Sequence, residues 1–258
     1  SALGGWVKLD PVKIAQTSTY LIVGSAVLYF LYIFIFEGLD KEERGKIMVI
    51  GVFFIASATF YAGYEQQGST LNLFADRYTD RMIGAFEIPA GWFQTVPAGA
   101  SILFAPVFAW LWIWLSKRKL NPSTPQKLSF GLLFLGLGYA VMMAASMIVV
   151  AGNLAAPPWL VMTYCLFTFG EICLYVVGLS AVTKLSPKRL MGQMMGIWFM
   201  SLAIGNLMAG LFSGEFDDKL IAANPQLLVN LFWVVVKVTV ISGLIALAIS
   251  KPLRKLMG

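Results

Sequence analysis

Three ionisable side chains stand inside apolar runs of this chain, at Glu65, Glu171 and Lys237. A charge in such surroundings is costly and normally answers a partner, a ligand or water. Glu171 lies in Phe167-Thr-Phe-Gly-Glu-Ile-Cys-Leu-Tyr175, about twelve residues into its run and so about 18 Å along a helix, near a bilayer midplane. On α-helical spacing Tyr175 and Gly178 follow on the same face at i+4 and i+7. Carboxylate, aromatic ring and bare backbone together suit a cationic amine; a plain inter-helix ion pair is the competing reading. Glu65 lies in Tyr61-Ala-Gly-Tyr-Glu-Gln-Gln-Gly-Ser69, and Gln66, Gln67, Ser69 and Thr70 add more polar groups than hydrocarbon tolerates. The stretch either lines water, faces another helix bundle, or meets the headgroups.

Lys237, in Phe232-Trp-Val-Val-Val-Lys-Val-Thr-Val240, could form a Schiff base, and seven spans with a lysine in the last helix are the arrangement of a retinal protein. The residue four positions earlier is Trp233, where a microbial rhodopsin would carry aspartate. A lysine paired with a carboxylate or with lipid headgroups is therefore the preferred reading. The chain contains no histidine, which removes the usual proton shuttle and the commonest metal ligand. Proton chemistry must then use carboxylates or a lysine. No phosphate-cradling glycine loop, metal-spaced cluster or nucleophile with a base is recognisable, so the chain does not read as an enzyme and no metal is expected. Cys165 and Cys173 lie eight residues apart in one run, roughly 12 Å on a helix, too far to bond.

The elements that must carry these residues are membrane helices. Of 258 residues 59% are apolar and 12% charged, about half the charge of a soluble domain, and the mean hydropathy is +0.77. Such a surface needs lipid, which excludes a disordered chain, a disulfide scaffold and a soluble nucleic-acid binder despite the net charge of +6. The fold class is all-α integral membrane. Seven runs are long enough to span, at 17–36, 46–74, 92–115, 127–151, 157–183, 190–213 and 227–250. Proline, glycine and charge clusters separate them, among them Asn121-Pro122-Ser123-Thr124-Pro125 and Ser186-Pro187-Lys188-Arg189. The run at 46–74 exceeds a span and should tilt or project.

Thirteen basic residues, including Lys46, Lys117, Arg118, Lys127, Lys184 and Arg254, fall in one set of alternate loops. Lys8, Lys13, Arg77, Arg81 and Lys219 fall in the other, which places the C-terminus in the cytoplasm and the N-terminus outside. Gly192 with Gly196, Gly205 with Ala209, and Gly136 with Ala140 have small-xxx-small spacing and predict close helix packing. Pro89, Pro97 and Pro106 predict a kinked third span. Asp76-Arg77-Tyr78-Thr79-Asp80-Arg81 reads as a solvated, internally paired outer loop. The start at Ser1 reads as a fragment or a processed form.

Several stretches together resemble one family. Phe60-Tyr-Ala-Gly-Tyr-Glu-Gln-Gln-Gly-Ser-Thr70 with Leu73-Phe-Ala75 is similar to the seventh membrane helix of the proton-coupled oligopeptide transporters of the major facilitator superfamily. Trp92-Phe-Gln94 with Phe104-Ala-Pro106 resembles their eighth helix, and Gly170-Glu171 with Gly178-Leu-Ser180 their tenth. Leu185-Ser-Pro-Lys-Arg-Leu-Met-Gly192 running into Trp198-Phe199 resembles their eleventh.

The resemblance implies the C-terminal half of a bacterial transporter of the inner membrane. Residues 1–40 would hold an extra inter-bundle helix and 41–258 the six-helix bundle. Its partners would be di- and tripeptides, membrane lipid and the N-terminal bundle of the same protein, with no nucleic acid; a proton would be the coupling ion and no other cofactor is implied. Glu171 would receive the amino terminus of the peptide, with Tyr61, Tyr64, Gln94, Tyr175 and Trp198 around it, and Glu65 would pair with basic groups of the absent bundle. Pro97 and Tyr175 depart from the pattern, which implies an atypical substrate range and leaves a carrier for another amine-bearing or non-peptide solute as the alternative.

Overall fold

The structure, a computed structural model, describes residues 11–214 and 218–257. Lys8, and the side chains of Lys13 and Lys219, which entered the charge asymmetry above, lie outside the described residues.

Helix α1 (Pro11–Phe36) ends before Gly38, whose φ of 58° is a left-handed conformation that side chains disfavour. Asp40 then caps α2 (Lys41–Tyr64): its carboxylate accepts the Glu43 amide at 2.7 Å while Glu43 reaches back to the Asp40 amide. A tight 3₁₀ turn, Glu65–Gly68, follows and leads into α3 (Thr70–Tyr78). A two-stranded antiparallel hairpin, β1 (Met82–Ile83) and β2 (Phe86–Glu87), and a second 3₁₀ turn, Ala90–Thr95, precede α4 (Val96–Lys117). After α5 (Thr124–Val150) and α6 (Pro157–Glu171) comes a π-helical turn, Ile172–Val176, and then α7 (Val177–Leu185). Helices α8 (Met191–Ser213), α9 (Asp218–Ala223), α10 (Gln226–Ala248) and α11 (Ser250–Met257) complete the order.

Among the described residues seven helical stretches are long and apolar enough to cross a membrane, and they coincide with the seven runs read from the sequence. The long one, Lys41–Tyr78, measures 38 residues and is broken at Glu65–Gly68 rather than simply tilted. The charge run expected to be all loop is partly helical, since α3 extends through Tyr78; beyond it Arg81 is paired with Asp76 at 3.1 Å and with Glu87 at 2.8 Å, as an internally paired segment should be. Pro97 sits in the first turn of α4, where its missing N–H removes no helical bond, and only Pro106 lies within that helix.

The core lies where α2, α5, α6 and α10 meet, and it is aromatic. Phe60 stacks on Tyr64 with ring centroids 5.4 Å apart, Tyr139 lies 5.0 Å from Phe167, and Phe74 meets Phe232 edge-on at 5.9 Å. Lipid supplies no hydrophobic drive between helices, so backbone proximity is set by small residues. A Cβ built on Gly205 would stand 2.4 Å from the Cβ of Tyr61, and one on Gly136 would stand 2.7 Å from Val240. Two of the three small-residue pairs are thus interface positions. Gly192 and Gly196 are not: nothing lies within 4 Å of either would-be Cβ, because that face of α8 points away from the other described helices. One backbone-to-backbone contact was not read from the sequence. Gly131 of α5 and Gly170 of α6 abut, each would-be Cβ falling within 2.9 Å of the other glycine's carbonyl oxygen.

Gly205→Val is expected to destabilise the bundle by about 1–3 kcal/mol through overpacking against the Tyr61 backbone, whereas Gly196→Ala leaves it unchanged. Thermal unfolding of the purified variants, followed by intrinsic fluorescence, checks the contrast; equal midpoints would contradict this packing.

Candidate functional site

The two carboxylates of the aromatic core stand at the two places where the helices lose α-geometry. Glu171 is the last residue of α6, immediately before the π turn, and Glu65 is the first residue of the 3₁₀ turn after α2. Irregular backbone at membrane depth persists only when it is buried in protein or lines a water-filled cavity, because its freed polar groups need partners. At the break after α2 the partners are tyrosine hydroxyls. Tyr139 Oη donates to the Gly63 carbonyl at 2.8 Å and Tyr164 Oη to the Gln67 carbonyl at 3.4 Å.

Glu171 is held from α2. Tyr64 Oη donates to Glu171 Oε2 at 2.7 Å, a charge-assisted bond across 107 residues of sequence. The contact of Gly131 with Gly170, together with Phe60 lying over Gly170, fixes the backbone next to the carboxylate. Tyr64, Glu65, Gln67, Gln94, Pro97, Ser101 and Glu171 line one cavity of about 430 Å³, a volume within the range of small-ligand sites. Glu171, Tyr64 and Gln94, three of the residues expected around a ligand, thus share one cavity, and Glu65, expected to face another bundle, lines it too. Tyr61 and Tyr175 stand behind the cavity as an aromatic wall: Tyr61 packs edge-on to Tyr64 at 5.8 Å and to Tyr175 at 6.4 Å.

Two details of the expected face differ. The π turn inserts an extra residue after Glu171, so Tyr175 and Gly178 do not follow it in α-helical register. Gly178 is not bare backbone either. The indole of Trp198 covers it so closely that a Cβ there would stand 2.3 Å from Cη2. Trp198 itself is buried, with 1% of its surface exposed, so it supports the cavity from behind α7 instead of presenting its ring to it. The polar stretch after Tyr64 is also divided. Gln67 faces the cavity, whereas Gln66 is buried on the opposite side, its Nε2 donating to the Ala62 carbonyl at 3.0 Å.

Lys237 lies on an exposed face of α10, its ammonium 5.8 Å from the Trp233 ring centroid one turn earlier. It makes no ion pair with a carboxylate among the described residues, and its outward position is incompatible with a chromophore enclosed by the helices. Three signals for this site were present but unread: the glycine at 131, the tyrosines at 139 and 164, and the two helix breaks.

A part-buried carboxylate facing a cavity on one side of a bundle of membrane-spanning helices fits one wall of a membrane carrier of the major facilitator type. The chain belongs to the POT family, whose model matches residues 11–227. It is 40% identical over 256 residues to the peptide transporter YePEPT of Yersinia enterocolitica, a match covering 98% of this chain and 49% of the relative. It is 28% identical over 240 residues to a di-/tripeptide transporter of Lactococcus lactis, covering 90% of this chain and 46% of that one. Among solved structures, peptide transporter POT in complex with sulfate superposes with a TM-score of 0.88 at 31% identity, over 98% of this chain and 49% of that chain. A POT family transporter in complex with 5-aminolevulinic acid gives a TM-score of 0.83 at 27% identity, covering 95% and 49%. The chain spans about half the length of the relatives it matches.

Tyr64→Phe should leave Glu171 Oε2 without its donor and reduce stability by roughly 1–3 kcal/mol. A double-mutant cycle with Glu171→Gln, read by thermal unfolding, should be non-additive by more than about 0.5 kcal/mol; additive effects would show that the two groups do not interact.

Proposed function

We propose that this chain is the C-terminal half of a proton-coupled transporter that takes up di- and tripeptides by alternating access, residues 41–258 forming the six-helix bundle and residues 1–40 an additional inter-bundle helix. The carrying observation is the Glu171 carboxylate, oriented by Tyr64 and open to the 430 Å³ cavity. The names of the relatives support the substrate class, and their length supports a second bundle as the missing wall.

In this reading Glu171 holds the ammonium of the peptide by a charge-assisted bond, and the low polarity of the surrounding aromatic wall strengthens it. Gln94, from the turn before α4, offers an amide to the rest of the ligand. Tyr61 and Tyr175 shape the side-chain space, with Trp198 keeping α7 and α8 in place behind them. Glu65 lines the same cavity and, among the described residues, accepts no hydrogen bond and forms no ion pair. It is the group left to pair with a cation of the partner bundle, and making and breaking that pair with a proton biases the two access states. The proposed orientation has the C-terminus in the cytoplasm and the N-terminus outside, in a bacterial inner membrane, and the excess of basic residues in one set of loops supports it. No cofactor beyond the proton is required.

The second reading, a carrier for another amine-bearing solute, keeps Glu171 and changes the rest. Its support is Pro97, which lines the cavity without an N–H or a side-chain amide to offer a peptide backbone.

The test is uptake of a labelled dipeptide by liposomes containing the full-length transporter, with and without an inward proton gradient. Gradient-dependent accumulation is expected, together with poor uptake of the N-acetylated dipeptide, which lacks the ammonium. Glu171→Gln should lower uptake at least about tenfold, the scale of losing one partner of a buried charged pair. Lys237→Met should leave uptake largely intact. Accumulation of small amines but of no peptide would select the second reading.

A further inference from the structure

Away from the ligand cavity, the basic end of the bundle contains a second built feature. Lys127, at the start of α5, lines two adjoining cavities of about 330 and 500 Å³, the smaller mainly polar and the larger mixed. The first also holds Asn121, Ser123, Thr124 and Arg254; the second also holds Lys46 and Lys184. Four cations therefore converge here, and only Lys46 has a carboxylate partner among the described residues, Glu42. The N-terminus of the 27-residue helix α5 adds its own positive end at Thr124. The positive-inside bias accounts for basic residues at this end of the bundle, and their convergence on one chamber suits it to an anion.

The smaller of the two adjoins an apolar cavity. Pro122 lines both the smaller polar cavity and a groove of about 450 Å³ between α4 and α5. The Lys127 ammonium sits 4.3 Å above the ring of Trp112, which forms a wall of the same groove. The groove continues past Leu115, Leu133 and Leu137, and two of its lining rings, Phe108 and Phe134, pack on Phe169 of α6 at 5.4 and 5.9 Å. From Thr124 to Leu137 the helix rises about 20 Å, somewhat more than the roughly 15 Å of one leaflet's hydrocarbon. A basic chamber at headgroup level leading into an apolar slot one leaflet deep has the shape and polarity of a phospholipid.

We propose that this feature is a binding site for an anionic phospholipid, its phosphate held by Lys127 and Arg254 and one acyl chain lying in the groove between α4 and α5. A soluble phosphate would use the chamber and leave the groove without a role; a zwitterionic lipid would leave the excess positive charge unbalanced. The site is separate from the carboxylate cavity and does not depend on the substrate proposed above.

The experiment is native mass spectrometry of the full-length transporter purified in micelles containing equal amounts of phosphatidylglycerol and phosphatidylcholine. Phosphatidylglycerol should be retained in preference, and Lys127→Gln with Arg254→Gln should reduce that preference by about fivefold per residue. Leu137→Trp, at a position whose side chain is 50% exposed and so tolerant of change, should fill the groove and reduce retention. Millimolar inorganic phosphate should not displace the lipid. Equal retention of the two lipids, as expected if a partner bundle covers the groove, would overturn the proposal, as would an unchanged preference in the double variant. Displacement by inorganic phosphate would overturn it in favour of a soluble anion. Lipid retention needs no transport, so the result stands whether or not dipeptide uptake is found.

Discussion

Hydrocarbon provides no partner for a backbone amide or carbonyl, so every departure from helical geometry at membrane depth must be satisfied from within the protein. This bundle departs twice near its centre, at the 3₁₀ turn after α2 and at the π turn after α6, and a carboxylate stands at each break. The remaining helices are arranged to make those breaks tolerable. Tyr139 and Tyr164 reach from α5 and α6 to the Gly63 and Gln67 carbonyls, and Tyr64 reaches back to Glu171. The same irregularity that must be compensated is what turns the two carboxylates out of the packed core and toward one cavity.

Close helix packing provides the precision. The abutting Gly131 and Gly170 bring α5 against α6 beside Glu171, and Gly205 admits the backbone of α2 at Tyr61. The Trp198 ring fills the space above Gly178, so α7 is held to α8 immediately beyond the π turn. Ser57 and Ser201 share a buried hydrogen bond of 2.8 Å across α2 and α8. The two carboxylates consequently differ in kind. Glu171 is anchored by a donor from its own bundle, whereas Glu65 has no such anchor among the described residues, a difference that matches the separate roles proposed for them above.

The outer surface follows a different logic. Helices α1 and α4 bury little of themselves and present apolar side chains such as Leu28, Ile35, Ile102 and Leu103. Helix α1 is nevertheless attached at definite points, with Tyr29 Oη donating to Gln193 Oε1 at 2.6 Å and Arg189 bridging the Glu37 carbonyl and Glu43. The basic residues that establish the charge asymmetry are not spread evenly over their end of the bundle. Lys127 and Arg118 lie on the rings of Trp112 and Trp114, which draws part of the charge toward α4.

The amino-acid sequence by itself determined the fold class, the number of spans and the identity of the carboxylates. These follow from hydrophobic run length and from the cost of burying charge, both local properties that need no knowledge of neighbours. It also specified two of the three small-residue interfaces, at Gly205 and Gly136. Only the tertiary structure decided which polar groups meet. The bond between Tyr64 and Glu171 spans 107 residues, and the tyrosines that bond the carbonyls at the break after α2 lie on other helices, so no spacing rule within one helix could reveal them. The π turn likewise escapes a reading based on i+4 and i+7 periodicity, because its extra residue is stabilised by what packs around it and not by its own composition. For the same reason Gly178, which helical periodicity would place on the ligand face, and Trp198, which the family resemblance would place there, belong to the packing behind it.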